Sequence, residues 1–164
     1  MGPDPAAPPL HRRGYRLAGG RAPLRENLAA ALLRAGGWHR EERPAALLDP
    51  FCGSGTLVIE AAWVAAGVAP GALRREYGFQ TWRGCRRPLW EEALREAAAS
   101  LEGGLKDLPS LKGFDADPDT IQYALHNAER AGVRRLVHYE PRELGAPRGR
   151  DFADPGREAR APTP

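Results

Sequence analysis

Leu47-Leu48-Asp49-Pro50-Phe51-Cys52-Gly53-Ser54-Gly55-Thr56-Leu57-Val58-Ile59-Glu60 is the stretch from which the fold is read. Just before its loop, Ala45 to Asp49 is a short apolar run, the pattern of a buried parallel strand. After the loop, Thr56 to Ala66 is almost wholly apolar, which predicts a buried helix. Between the two, Gly53 and Gly55 remove side chains where the backbone turns sharply and comes close to a ligand. In an open parallel sheet, ligands sit beyond the carboxyl ends of the strands, where this loop lies. The exposed amides that start the following helix can receive a carboxylate. A Walker phosphate loop would need Gly-Lys-Ser/Thr, and there is no lysine; a dinucleotide fingerprint would need a third glycine, and it is missing. A plain glycine-rich strand–helix turn accounts for the same residues without any ligand.

Outward from this loop, the pattern alternates. Pro23 opens a helix on which Leu24, Leu28 and Leu32 recur at i, i+4 and i+8, with Glu26 in its first turn and Gly36-Gly37 at its end. Upstream, Leu10 to Arg16 alternates loosely, as a short strand or an extended entry segment does. Downstream, a helix is expected from about Pro88 to Leu101. A strand follows over Leu111 to Asp115, and a helix over Pro118 to Ala131 carries Ile121, Ala124, Leu125 and Ala128 on one face before Gly132 closes it. A third short strand is expected at Leu136 to Glu140. Strand, helix, strand, helix, strand calls for an α/β fold with a parallel sheet and right-handed crossovers.

With 164 residues there is room for one domain. Prolines gather at both ends, where apolar periodicity is lacking, so residues 1–9 and 145–164 read as disordered and 10–144 as the folded domain. Two cysteines, Cys52 and Cys85, stand far apart with no CxxC or CxxH spacing, which suggests no metal site and a reducing, cytoplasmic setting. No apolar run approaches the ~20 residues of a membrane span.

The net charge of +3 is compatible with a nucleic-acid partner without requiring one. Its distribution says more. Arg12, Arg13, Arg16, Arg21 and Arg25 form one cluster, and Arg74, Arg75, Arg83, Arg86 and Arg87 form another. The second is interleaved with Tyr77, Phe79, Trp82 and Trp90. Such a segment suits phosphate contacts and base stacking. Packing of the aromatics onto the helices is the favoured reading for the rings, while both readings stay open for the arginines.

DPFCGSGT at 49–56 resembles the first motif of class I methyltransferases that modify nucleic-acid amino groups. That resemblance implies a Rossmann-like fold and S-adenosylmethionine as cofactor, its methionine and ribose wrapped by Asp49, Pro50, Cys52, Gly53, Ser54, Gly55 and Thr56. It also implies that Asp115, ending the second strand, accepts the ribose hydroxyls, the chemistry of the acidic residue in dinucleotide folds. Capping of the next helix by Asp115 or Asp117 is the plainer reading, and both can hold together. Glu143, after the third strand, falls where such enzymes place an acid on the adenine amine; a surface glutamate would look the same.

Several spaced stretches are similar to one family in particular, the THUMP-associated RNA guanine-N2 methyltransferases of the ribosomal large-subunit K/L type. They are LHRRGYR at Leu10, APLRENLAAALL at Ala22, LLDPFCGSGTLVIEAA at Leu47, APG at Ala69, GF-x-x-W at Gly78 and GFDADPDTIQYALHNAERAG at Gly113. The implied activity is methyl transfer to the exocyclic N2 of guanosine in ribosomal or transfer RNA. LHRRGYR and the Gly78–Trp82 stretch argue against a DNA-adenine or protein-amide enzyme sharing the first motif.

The sequence departs from the family in two ways. No THUMP domain precedes Leu10. The Asn-Pro-Pro-Tyr motif that holds the target amine and stacks on the flipped base is missing; Asp154-Pro155-Gly156 is a poor substitute, with no apolar strand before it and no aromatic after it. No catalytic residue is assigned. The expectation is the N-terminal half of a class I methyltransferase fold, with the strand at Ala45–Asp49 left at the sheet edge. It would be inactive alone and complemented by a second chain, or it would be a non-catalytic remnant that binds cofactor or RNA.

Overall fold

The computed structural model describes residues 11–16, 23–38, 46–74, 77–104 and 109–145, with the side chains of 100–104 left aside. The expected tail at 1–9, all of the expected tail at 145–164 except Gly145, and Arg21 and Arg75 of the arginine clusters lie outside the described residues. In chain order come helix α1 (Glu26–Ala35), strand β1 (Ala46–Asp49) and helix α2 (Thr56–Ala65). A 3-10 turn (Gly78–Thr81), helix α3 (Arg87–Gly104), strand β2 (Ser110–Asp115), helix α4 (Pro118–Arg130) and strand β3 (His138–Pro141) follow.

The three strands are parallel in the order β1-β2-β3. Each crossover passes through a helix, as parallel pairing demands. The register places Asp49 opposite Gly113 and Asp115 opposite Pro141, so β2 runs two residues past the end of β1. Gly113 has no room for a side chain. A Cβ there would lie 2.6 Å from the Tyr139 ring and 2.9 Å from Cys52 Cβ.

The core sits between the sheet and one helical layer. α2 contributes Val58, Ile59, Ala61, Ala62 and Trp63, all buried as its apolar sequence predicts, and α4 contributes Ile121, Ala124 and Ala128. Two buried indoles find partners, as buried Trp N–H groups must. Trp38 Nε1 donates to the Ala61 carbonyl at 2.8 Å, and Trp63 Nε1 donates to the Ala131 carbonyl at 3.1 Å.

Of the two readings of Leu10–Arg16 the structure favours the entry segment over the strand: residues 11–16 form no strand and are anchored by side chains. Two expectations need correction. The stripe Leu28–Leu32 on α1 does not face the core: these leucines are 49% and 53% exposed, while Glu26, Ala29 and Leu33 turn inward. The small face of Ala29 lets α1 approach α2, and Glu26 is drawn in toward Arg16. β1 stands at the sheet edge as expected and is only half-buried at all four positions, because among the described residues β2 alone pairs with it. β3 starts at His138, two residues later than expected, since Arg134–Leu136 are spent on a turn closed by Leu136 N–H to the Val133 carbonyl.

Candidate functional site: the carboxyl edge of the sheet

The loop after β1 folds back over the carboxyl ends of β1 and β2. Asp49 Oδ1 accepts the Phe51 amide at 3.1 Å, an Asx-type turn that starts the reversal. Cys52 N–H then donates to the Phe114 carbonyl at 2.8 Å, extending the β1–β2 ladder past the end of β1. One residue later, Gly53 N–H donates to Asp115 Oδ2 at 3.1 Å. The loop and the second carboxylate are 62 positions apart in sequence and in direct contact.

The two glycines do different work. Both have positive φ, +52° at Gly53 and +81° at Gly55. A Cβ on Gly55 would meet the Tyr139 hydroxyl at 2.6 Å and Ala124 Cβ at 3.0 Å, so this glycine exists for close packing. A Cβ on Gly53 would meet nothing within 4 Å. Its bare backbone borders open space at the sheet edge, the cradle a ligand would fill.

Deeper in the loop, the backbone is locked. Asn127 Nδ2 donates to the Ser54 carbonyl at 3.0 Å, and the Tyr139 hydroxyl donates to the Gly55 carbonyl at 3.0 Å. α2 begins at Gly55 with no side-chain cap, leaving first-turn amides free for an anion. Arg16 stands beside that terminus, its guanidinium donating to Thr56 Oγ1 at 2.6 Å and to the Leu24 carbonyl, 3.8 Å from Glu26. A cation and a free helix N-terminus converge there.

Charge at the site is set by burial. Burial pushes the Asp49 carboxyl up from its ordinary value, the Phe51 amide opposes this, and the nearby Asp115 charge adds to it. The Cys52 thiol is pushed up to about 12 by burial, reinforced by Asp49 and Asp115, so it is a neutral packing group and no nucleophile. Asp115 Oδ1 accepts the Asp117 amide at 3.1 Å, and Asp117 caps α4 through the Asp119 amide at 2.9 Å and Thr120 Oγ1 at 2.7 Å. Each Asp115 oxygen keeps acceptor capacity for a further donor.

The structure brings together Asp49, Cys52, Gly53, Ser54, Gly55, Thr56 and Asp115. Pro50 and Glu143 lie to one side, lining a small cavity with Leu48, Phe114 and Leu144. Glu143 is exposed, two residues beyond β3. Among the described residues no cluster of His, Cys, Asp or Glu is arranged for a metal, and no helix is long and apolar enough to cross a membrane.

A family model described as the RMKL-like methyltransferase domain matches residues 13–146. The chain belongs to that family. Curated relatives of this RMKL-like domain include the ribosomal RNA large subunit methyltransferase K/L of Alcanivorax borkumensis, 66% identical over 93% of the chain and 22% of the relative. The protein of the same name from Allochromatium vinosum is 51% identical over 91% of the chain and 20% of the relative. The RMKL-like chain thus spans about a fifth of the length of the curated relatives it matches. Among solved structures it is similar to SMU.472, a methyltransferase candidate complexed with SAH: TM-score 0.71, 32% identity, 82% of this chain and 33% of that one. It is also similar to a predicted N6-adenine-specific DNA methylase from Listeria monocytogenes: TM-score 0.74, 37% identity, 87% of this chain and 36% of that one. The fold is that of the class I methyltransferases.

Sequence reasoning missed Glu60, Tyr15, Asn127 and Tyr139. Glu60 is 2% exposed and accepts Arg13 through both oxygens, 3.2 and 3.1 Å, and the Tyr15 hydroxyl at 3.0 Å. Burial raises the Glu60 carboxyl, and Arg13 opposes that by pairing with the charge. Arg130 donates to the carbonyls of Tyr15 and Gly14 at 3.1 and 3.0 Å. Arg13 and Arg16, read as open to phosphate contact, are therefore taken up in holding residues 13–16 to α2 and α4. A single glutamate within an otherwise apolar helix, with RRGYR upstream, is the signal from which this pairing could have been read.

Proposed function

We propose that this chain is the cofactor-holding part of a cytoplasmic RNA methyltransferase that uses S-adenosylmethionine to methylate N2 of a guanosine, in ribosomal rather than transfer RNA. The observation that carries the reading is the clamp of the Gly53 amide on Asp115 beside open space, which joins the glycine loop and the β2 carboxylate in one cradle. Asp115 would accept the ribose hydroxyls, with Asp49 and Gly53 forming the wall behind them. The α2 amides would take the methionine carboxylate, at a helix start that Arg16 holds in place through Thr56. Pro50 and Glu143 border the neighbouring cavity, where Glu143 would accept an adenine amine.

The cofactor supplies an electrophilic methyl group on a sulfonium. The residues of this chain bind and orient it. A guanine amine is a poor nucleophile, its lone pair delocalised into the ring, so the reaction depends on in-line positioning and on acceptors for the amine hydrogens. The family's Asn-Pro-Pro-Tyr would supply those acceptors, and these 164 residues do not contain it. The chain is therefore read as donor-binding, with the acceptor side of the site coming from a further segment or a second chain seated along the open edge of β1.

The Listeria monocytogenes neighbour's name favours adenine in DNA, whereas the K/L relatives are far more similar in sequence, and the 66% identity supports the RNA reading. Isothermal titration with S-adenosylmethionine tests the cradle. The wild type is expected to bind and Asp115→Ala to lose most affinity; equal affinity in both would refute it. Labelled methyl transfer to unmodified large-subunit RNA is expected only when a fragment carrying the missing motif is added. Methylation of DNA adenine by that mixture would favour the second reading.

A further inference from the structure

The basic, aromatic segment after α2 is not consumed by the cofactor cradle. Tyr77, Phe79 and Trp90 pack mutually, at centroid distances of 5.5, 4.9 and 5.0 Å, with the Trp90 contacts edge-on. The Tyr77 hydroxyl donates to the Gly71 carbonyl at 3.2 Å, tying the cluster back to the chain after α2. Trp82 stands apart from this cluster, 58% exposed. Its backbone is held on both sides, by its N–H to the Phe79 carbonyl and by Cys85 N–H to its own carbonyl, each at 3.0 Å. The ring is thus presented from a fixed turn. A groove of about 580 Å³ runs between Trp82, Phe79, Trp90, Leu89, Cys85 and Arg86.

Arg86 lines this groove, and Arg83 and Arg87 are the chain neighbours of its lining residues Trp82 and Arg86. Arg83, Arg86 and Arg87 are exposed, and none has an ion-pair or hydrogen-bond partner among the described residues. No acidic residue stands between Tyr77 and Trp90. Glu91 and Glu92 follow only on the next turn of α3. An apolar floor, a free indole face and uncompensated positive charge on one short segment match a single-stranded nucleic acid, whose bases offer flat faces and whose backbone offers regularly spaced anions. An apolar protein segment would leave the three charges unanswered.

We propose that the groove beside Trp82 seats an unpaired base of the RNA substrate, stacked on the indole, with Arg83, Arg86 and Arg87 on the flanking phosphates. It is a strand-holding site separate from the cradle at Gly53 and Asp115, and it rests on RNA being the substrate. By this arrangement the chain grips unpaired RNA and leaves duplex RNA aside.

The test uses the full chain and a fluorescently labelled unpaired 12-mer RNA, with the same sequence as a duplex, read by anisotropy. The wild type is expected to prefer the unpaired strand. Trp82→Ala is expected to weaken it by about five- to 150-fold, the range that removal of one stacked base gives, and Trp82→Phe to restore most of it. The double variant Arg86→Ala/Arg87→Ala is expected to flatten the slope of log K against log salt by about 1.4, roughly 0.7 for each lost phosphate contact on a single strand. All three side chains are exposed, so folding should survive, and S-adenosylmethionine titration of each variant checks this independently. Equal binding of duplex and single strand, or unchanged affinity in Trp82→Ala, overturns the proposal and hands the groove to a protein segment. Loss of RNA binding in Trp82→Ala by a chain that binds no S-adenosylmethionine would uphold the groove while the functional reading above falls. Normal cofactor binding with RNA affinity indifferent to Trp82 would do the reverse.

Discussion

Around Glu60 this chain buries a charge with three donors on it; along α3 it leaves even leucines in water. The contrast follows from what each helix packs against. α2 lies between the sheet, α1 and the 13–16 segment, so a carboxylate inside it must be paired, and Arg13 and Tyr15 are folded in to do so. Among the described residues α3 touches the 3-10 turn through Trp90 and makes no broad contact with a strand or another helix, and Leu89 and Leu94 are exposed. The first region is where tertiary structure is fixed; the second is where the chain presents surface. Near the cradle the same contrast recurs within three residues, since Gly55 is packed tight and Gly53 is open.

The largest test of this contrast is Glu60→Ala. It strands the Arg13 guanidinium and the Tyr15 hydroxyl without their acceptor, and removing one partner of a buried pair costs about 3–5 kcal/mol. Urea unfolding is expected to show a loss near 4 kcal/mol by that reasoning; a loss under about 1 kcal/mol, the range of a surface pair, would mean that the network is wet and dispensable.

Next comes the glycine pair. Gly55→Ala is expected to cost about 3 kcal/mol, from the left-handed backbone and the clash with Tyr139 and Ala124. Gly53→Ala should cost only about 1 kcal/mol from the backbone term. For ligand binding the order reverses: Gly53→Val is expected to abolish S-adenosylmethionine binding, because a branched side chain fills the cradle. Equal stability losses at both positions, or unchanged cofactor affinity in Gly53→Val, would erase the distinction.

A smaller effect is expected at Asp49. Its folded carboxyl titrates above the ordinary 3.8. Its stabilising contribution is therefore fully present below that value and is lost as pH rises through the folded value. Asp49→Asn keeps the acceptor for the Phe51 amide and removes the charge. Its melting temperature relative to wild type should rise as pH goes from about 4 toward neutrality, while cofactor binding weakens. A difference independent of pH would show that burial does not perturb this carboxyl. The smallest effect is expected for Leu94→Ala on α3, within about 0.5 kcal/mol, as at other exposed positions; a loss above 2 kcal/mol would reveal that α3 is packed after all.

Much of the cradle was legible because its requirements are local. A strand that ends on Asp49, a turn that needs two glycines and a helix apolar on every face can be read from adjacent letters, and so can the Asp117 cap two residues ahead of Asp119. The leucine stripe of α1 misled because periodicity gives the angle of a face and not which neighbour it meets. Leu28 and Leu32 satisfy the spacing, yet Ala29 and Leu33 allow the closer approach to α2.

The sequence by itself determined the element order, the parallel alternation and the loop that turns at Gly53 and Gly55, because backbone conformation and burial of an apolar helix follow from neighbouring residues. Only the tertiary structure decided which charges are available. Arg13 and Arg16 lie in the same basic run as Arg12, but burial against α2 commits them to Glu60, Glu26 and Thr56, while Arg83, Arg86 and Arg87 stay exposed with no partner among the described residues. It also decided that Gly53 meets Asp115, since a contact across 62 positions is set by the two-residue stagger of β2 past β1 and by nothing in either segment alone.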